Sequence, residues 1–189
     1  MQAQRYEFSI LGGAVRTETD RLGSLDEVRP EDTDSSLKAQ GTGFGIRATW
    51  NTRGYYGHEF TLIRSRGTLE SKIDGERRSG RLNFTQGAYN FLLYMMPAGE
   101  RWRPYITGGA QMNAFTNPNI EGWPTRDGRR YGFNYGAGIK LFPVKNVFVR
   151  LDVRDSFTGK PFDLRFFEPL DKGGRLRAFE GTLGFGIAF

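Results

Sequence analysis

The chain has no cysteine and only one histidine. The first absence excludes disulfides, thiol catalysis and cysteine-ligated metals. The second leaves any imidazole chemistry to His58 alone, and one histidine without clustered partners is too little for a metal site. No stretch approaches the roughly 18 uncharged apolar residues of a membrane-spanning helix. Mean hydropathy is −0.54 and 38% of residues are apolar, which excludes a bundle of membrane helices. It does not exclude membrane strands, in which half the residues are polar or small. There is no block of like charge either. The net charge is +6, but bases and acids are interleaved, so the pattern gives no nucleic-acid footprint. Met1-Gln2-Ala3-Gln4-Arg5 lacks an apolar h-region, so an exported chain is expected here in its mature form.

What is abundant is glycine, 26 of 189 residues, and aromatic residues, at 14%. Together with a lack of helical periodicity this is an all-β composition, and the length suits one domain. The clearest segment is the end of the chain. Leu183, Phe185, Ile187 and Phe189 alternate with Thr182, Gly184, Gly186 and Ala188. A period of two is a strand with one apolar face. An apolar face that ends on an aromatic residue suits a strand that meets lipid and closes at an interfacial girdle.

Seven further segments read the same way: Arg5 to Val15, Gly41 to Asn51, Tyr55 to Ser65, Arg81 to Met95, Pro104 to Phe115, Arg130 to Phe142, and Asn146 to Ser156. The eighth runs from about Arg175 to Phe189. In the seventh, Val147, Val149, Leu151 and Val153 alternate with Phe148, Arg150, Asp152 and Arg154. Segments of about 10 to 15 residues exceed the five or six of an ordinary soluble strand and suit a tilted crossing of a bilayer. Short turns are expected near 52–54, 97–103 and 143–145. Long polar loops are expected at 17–40, 66–80, 116–129 and 157–174. This alternation puts every short turn at one end, together with both termini. The expected fold is therefore an eight-stranded antiparallel up-and-down transmembrane β-barrel.

At this point the chain resembles the small eight-stranded outer-membrane barrels, the family that includes the OmpA transmembrane domain. Three stretches carry the resemblance. Gly184-Phe185-Gly186-Ile187-Ala188-Phe189 resembles the C-terminal signal read by the barrel-assembly machinery, with Phe185, Ile187 and Phe189 as its apolar positions. Arg103-Pro104-Tyr105-Ile106-Thr107-Gly108-Gly109-Ala110 looks like the family's Pro-Tyr strand start. Tyr135-Gly136-Ala137-Gly138-Ile139-Lys140 is similar to its sixth strand. The resemblance implies a bacterial outer-membrane location, outer-membrane lipid as surroundings, and the assembly machinery as a partner in biogenesis. It does not fix an activity, because the family hosts scaffolds, adhesins, inhibitors and a few enzymes.

The inward face is expected to carry Arg47, Glu59, Lys140, Arg150, Asp152, Arg154 and Glu180. An eight-stranded barrel is narrow enough for side chains to fill it, so these charges are expected to form ion pairs across the lumen rather than a pore. His58 follows a short turn on the apolar face and is expected at a membrane interface, not in catalysis. Two aromatic belts are expected: Trp50, Tyr55, Tyr56, Tyr94, Trp102, Tyr105 and Phe142 at the short-turn end, and Tyr131, Phe133, Phe115 and Trp123 toward the other. The last long loop is unusually apolar. Phe162, Phe166 and Phe167, joined by Trp123, fit a cover over the barrel mouth, an extended hairpin, or contact with an envelope protein partner.

No cofactor, metal or catalytic residue is expected. The function expected is that of a structural anchor presenting loops, alone or within a larger envelope complex. A soluble lipocalin-like barrel for an apolar ligand is the alternative, and it would need an apolar inward face. A lipid-modifying enzyme would need a nucleophile and base near the long loops.

Overall fold

The computed structural model describes residues 5–19, 37–52, 54–73, 76–116, 128–159 and 175–189. Eight strands follow one another: β1 (Tyr6–Thr19), β2 (Leu37–Thr52), β3 (Tyr56–Ile73), β4 (Glu76–Tyr94), β5 (Trp102–Thr116), β6 (Gly128–Val144), β7 (Val147–Gly159) and β8 (Arg175–Ala188). Each pairs antiparallel with the next, and β1 pairs with β8, so the sheet closes into a barrel with no free edge. Closure satisfies every ladder N–H and C=O within the sheet, which a hydrocarbon environment demands.

The closing seam is well matched. Ile10 pairs with Phe185 and Phe8 with Ile187. Backbone bonds from Arg5 and Tyr6 to the Phe189 carbonyl, at 3.1 and 3.0 Å, hold the two ends of the chain together. Following register partners from Glu180 through Arg154, Gly136, Thr107, Leu92, Gly57 and Asn51 leads back to β1 at Arg5. Glu180 itself pairs with Val15. That offset is the stagger of a tilted barrel.

Residue alternation sorts the side chains to two faces. Outward lie Phe8, Ile10, Phe44, Ile46, Phe60, Leu62, Tyr89, Phe91, Ile106, Leu151, Val153, Leu183, Phe185 and Ile187, all exposed. Such a continuous apolar exterior is untenable in water and stable in lipid. Leu151 and Val153 are among the most exposed residues of β7, while Arg150, Asp152 and Arg154 are buried. A soluble binding barrel has the reverse arrangement, which removes the lipocalin-like alternative.

Several boundaries differ from the sequence reading. The stretch expected as loop 66–80 is mostly ladder, since β3 and β4 stay paired out to Ile73 and Glu76. The sequence there shows no apolar–polar alternation, while backbone pairing continues. For the same reason β1 runs on to Thr19, β2 begins at Leu37, and β7 reaches Gly159. At the other end, Trp102 and Arg103 belong to β5 rather than to the preceding turn, which is correspondingly shorter than 97–103. The β6–β7 turn is tighter than 143–145, with a register shift between Leu141 and Val144. Pro143 lies within that shift and has no N–H to donate. Gly54, with φ of 76°, makes the left-handed bend of the β2–β3 turn.

The belts also need correction. Trp50, Tyr55, Tyr56, Trp102, Tyr131 and Phe133 are exposed as expected. Tyr94, Tyr105, Phe115 and Phe142 point inward and are buried. They share phase with lumen residues: Tyr94 with Leu92, Tyr105 with Arg103 and Thr107. Position near a strand end did not decide the matter; strand parity did. Trp123, Phe162, Phe166 and Phe167 lie outside the described residues.

Candidate functional site

The lumen is a stack of polar and ionic layers. Nearest the short turns, the β1 carboxylate Glu7 is buried among cations from across the barrel. Lys140 of β6 pairs with its Oε2, and Arg103 Nη1 of β5 lies 3.5 Å from its Oε1. Asn51 Nδ2 donates to Glu7 Oε1 at 2.7 Å. Lys140 also donates to the Tyr94 hydroxyl at 2.7 Å. The Arg103 guanidinium lies 3.8 Å from the centre of the Tyr94 ring and donates to the Gly54 carbonyl at 2.9 Å. Strand end, turn and lumen are thus tied together by one arginine.

Higher in the lumen, Glu59 of β3 and Asp152 of β7 sit among three arginines. Arg150 donates through Nε and Nη2 to the two oxygens of Asp152, both at 2.9 Å, and through Nη1 to Glu59 Oε2 at 2.7 Å. Arg154 Nη2 reaches Glu59 Oε1 at 2.5 Å. Arg47 Nη1 of β2 lies 2.7 Å from Asp152 Oδ2. The Tyr105 hydroxyl donates to Asp152 and accepts from Arg150 Nη2 at 2.7 Å. Planar forks and carboxylates match here in the geometry that makes arginine pairs strong. All five charged side chains are essentially inaccessible.

Glycine makes room for these groups. A Cβ on Gly138 would collide with the Tyr105 hydroxyl, and one on Gly186 with the Phe148 ring. Asn90 of β4 and Asn134 of β6, which flank Gly109 of β5 in register, join their side-chain amides. Gln86 Nε2 donates to Gln111 Oε1 at 3.1 Å. Farther toward the long-loop end the lumen is mixed, with Leu82, Phe84, Phe115 and Leu176 buried beside Thr17, Ser65, Asn113 and Thr158, and the two Phe rings 5.4 Å apart.

All seven charges named from the sequence lie inside the barrel and are buried. Six join the two clusters. Glu180, beside Arg154 in register, makes no hydrogen bond and no ion pair within 4.0 Å among the described residues. Sequence reasoning missed Glu7 and Arg103. Glu7 was legible, since it alternates with Tyr6 and Phe8. Arg103 was hidden by placing the strand start at Pro104. The tyrosine hydroxyls that complete both clusters had no signal beyond strand parity.

His58 sits on the outer face near the short turns, where Nδ1 lies 2.7 Å from the Tyr89 hydroxyl. Its ring contacts Trp50 and Phe91 as well. It is therefore separated by the barrel wall from every lumen hydroxyl, and no His-activated nucleophile forms among the described residues. No cluster of three metal-type ligands occurs among them either. What the lumen can do is hold eight strands at fixed register.

No protein-family model and no curated protein matches the chain. Solved structures do. Outer membrane protein OprG from Pseudomonas aeruginosa superimposes with a TM-score of 0.72 at 14% identity, covering 100% of this chain and 99% of its own. Neisserial surface protein A gives 0.55 at 13% identity, with 96% and 97% covered. At such identity the likeness concerns the fold. This chain has the fold of the small eight-stranded outer-membrane β-barrels.

Proposed function

We propose that this protein is a bacterial outer-membrane barrel that serves as a rigid anchor, holding the connections opposite its short turns at the cell surface for contact with envelope partners. The observation that carries the reading is the lumen. Two buried ionic clusters, paired side-chain amides and a mixed layer of apolar and small polar side chains fill it, and their members come from strands on all sides. Such cross-linking favours a stiff, plugged cylinder over a conduit. The exterior supports the same reading, with an apolar wall bordered by Trp50, Tyr56 and Trp102 at one end and Tyr131 at the other.

Expression with an export signal, followed by membrane fractionation, tests the location. The chain is expected in the outer-membrane fraction, with a gel mobility that changes on boiling. Planar bilayers test the plug, and no large, steady conductance is expected. Crosslinking in intact cells, followed by copurification, tests the anchor role. A monodisperse protein in the absence of detergent, or a steady open channel, would overturn this reading.

A further inference from the structure

We infer that the folded barrel joins Lys140 to Asn51 by an isopeptide bond across its lumen, in a reaction promoted by its own Glu7. The bond staples β6 to β2, which stand on opposite sides of the closed sheet.

An amine, a carboxamide and a carboxylate meet in the cluster nearest the short turns. Glu7 bridges the other two. Its Oε2 takes Lys140 Nζ, and its Oε1 accepts from Asn51 Nδ2 at 2.7 Å. The two reacting groups are therefore held side by side on the two oxygens of one carboxylate, the kind of positioning that removes the entropic part of a barrier. Register explains the meeting. Glu7 pairs with Thr49, so Asn51 stands diagonally across from it on the same inward face. Lys140 arrives from the far wall, with Nζ 5.0, 5.6 and 5.5 Å from the ring centres of Tyr94, Tyr105 and Phe148.

The charges favour reaction over a lasting ion pair. Lys140 and Arg103 share the carboxylate of Glu7, so this cluster holds one positive charge in excess among the described residues. A buried charge without its own counter-ion is costly. Arginine cannot relieve that cost, because it keeps its proton, whereas a buried lysine readily gives one up and becomes a nucleophile. Among the described residues, four of the five buried cations are arginines and the fifth is Lys140. The other cluster also has more cations than carboxylates, but all of its cations are arginines. The one buried lysine stands where a carboxamide shares its carboxylate.

The step balances within the protein. Lys140 passes a proton to Glu7 Oε2, and the Nζ lone pair attacks Asn51 Cγ. Glu7 delivers that proton to Nδ2 and takes another from Nζ. The Cγ–Nδ2 bond breaks, and ammonia leaves as ammonium with the second proton. Nothing is oxidised or reduced. Negative charge develops on the former Asn51 carbonyl oxygen. Arg103 Nε and Nη1 make no hydrogen bond among the described residues, and Nη1 lies 3.5 Å from the Glu7 oxygen that holds Asn51. These N–H groups are placed to stabilise that charge. Afterwards Glu7 faces Arg103 alone, and the excess charge has left with ammonium.

The test uses the full chain, folded in detergent and checked by heat-dependent gel mobility, beside a portion kept in urea and never folded. Intact mass is expected to show the loss of one ammonia on folding and no loss in urea. Digestion and fragmentation are expected to yield a branched peptide joining Asn51 to Lys140, which separates the bond from cyclisation of Gln2. After boiling, the parent is expected to run ahead of Lys140→Arg, because a cross-link keeps the unfolded chain compact. Glu7→Gln and Lys140→Arg are expected to lose no ammonia at this site. Should neither variant fold, the folded and urea-held parent decide the matter. A folded parent without the branched peptide, a branch through Glu7 with loss of water, or an equal branch in the urea-held chain would overturn the proposal. A linear parent that still fractionates with the outer membrane removes the bond and leaves the anchor role standing.

Discussion

The two faces of β7 are built from adjacent residues and obey opposite rules. Outward, Leu151 and Val153 are exposed and need only be apolar. Inward, Arg150, Asp152 and Arg154 are buried and must each find partners on other strands. The outer face tolerates exchange among aliphatic residues, because lipid is a fluid and nonspecific solvent. The inner face resembles a set of interlocking parts, because a charge withdrawn from water is costly unless its partners are in place. The lesson is that stability in this barrel is unevenly sensitive. The same strand carries its most and least replaceable positions.

The largest expected effect breaks the inner set. Glu59→Leu leaves the Arg150 and Arg154 guanidinium groups short of a carboxylate, and a loss of about 3 to 5 kcal/mol is expected. Urea unfolding of the folded, detergent-solubilised protein measures it. Next comes the outer face. Leu151→Arg puts a charge on the lipid-facing wall well inside the belt, where about 2 to 4 kcal/mol is expected in bilayer-based unfolding. The same substitution should cost far less in a detergent that lets water reach the wall. Tyr105→Phe removes one hydroxyl from the Asp152–Arg150 cluster, and about 1 to 3 kcal/mol is expected from the same titration.

Glu180→Gln sharpens the contrast within the lumen. Glu180 lacks the partners that Glu59 has, so neutralising it is expected to leave stability unchanged or raise it. A loss as large as that of Glu59→Leu would show that Glu180 belongs to the ionic network after all. The smallest effect is expected at Arg16→Gln, since its pair with Glu18 is exposed on both sides and well screened by solvent. Its unfolding midpoint should match the parent's within error, and added salt should change neither.

Much of this was legible in the chain. The outward set from Val147 to Val153, the inward charges, and the strand count all follow from a period of two. Legibility failed where the period carries no information. Beyond the belt, β3 and β4 keep pairing through residues whose side chains show no alternation, so a ladder looked like a loop. Near the short turns, Tyr94, Tyr105 and Phe142 were assigned by proximity to a strand end, whereas parity sends them inward. Arg103 was lost to a boundary error of a residue or two, the scale on which such boundaries usually slip.

By itself the sequence determined which residues share a face and that one of those faces is apolar along all eight strands, because strand geometry makes that a purely local property. Only the closed structure decided which charges meet. Glu7 and Lys140, or Arg154 and Glu59, lie on strands far apart in the chain. The stagger of the barrel, a property of the whole circuit of strands and of no single one, sets the height at which their side chains arrive in the lumen. Glu180 shows the same limit from the other side, since its alternation matches that of Arg154 and only the tertiary arrangement left it without a partner among the described residues.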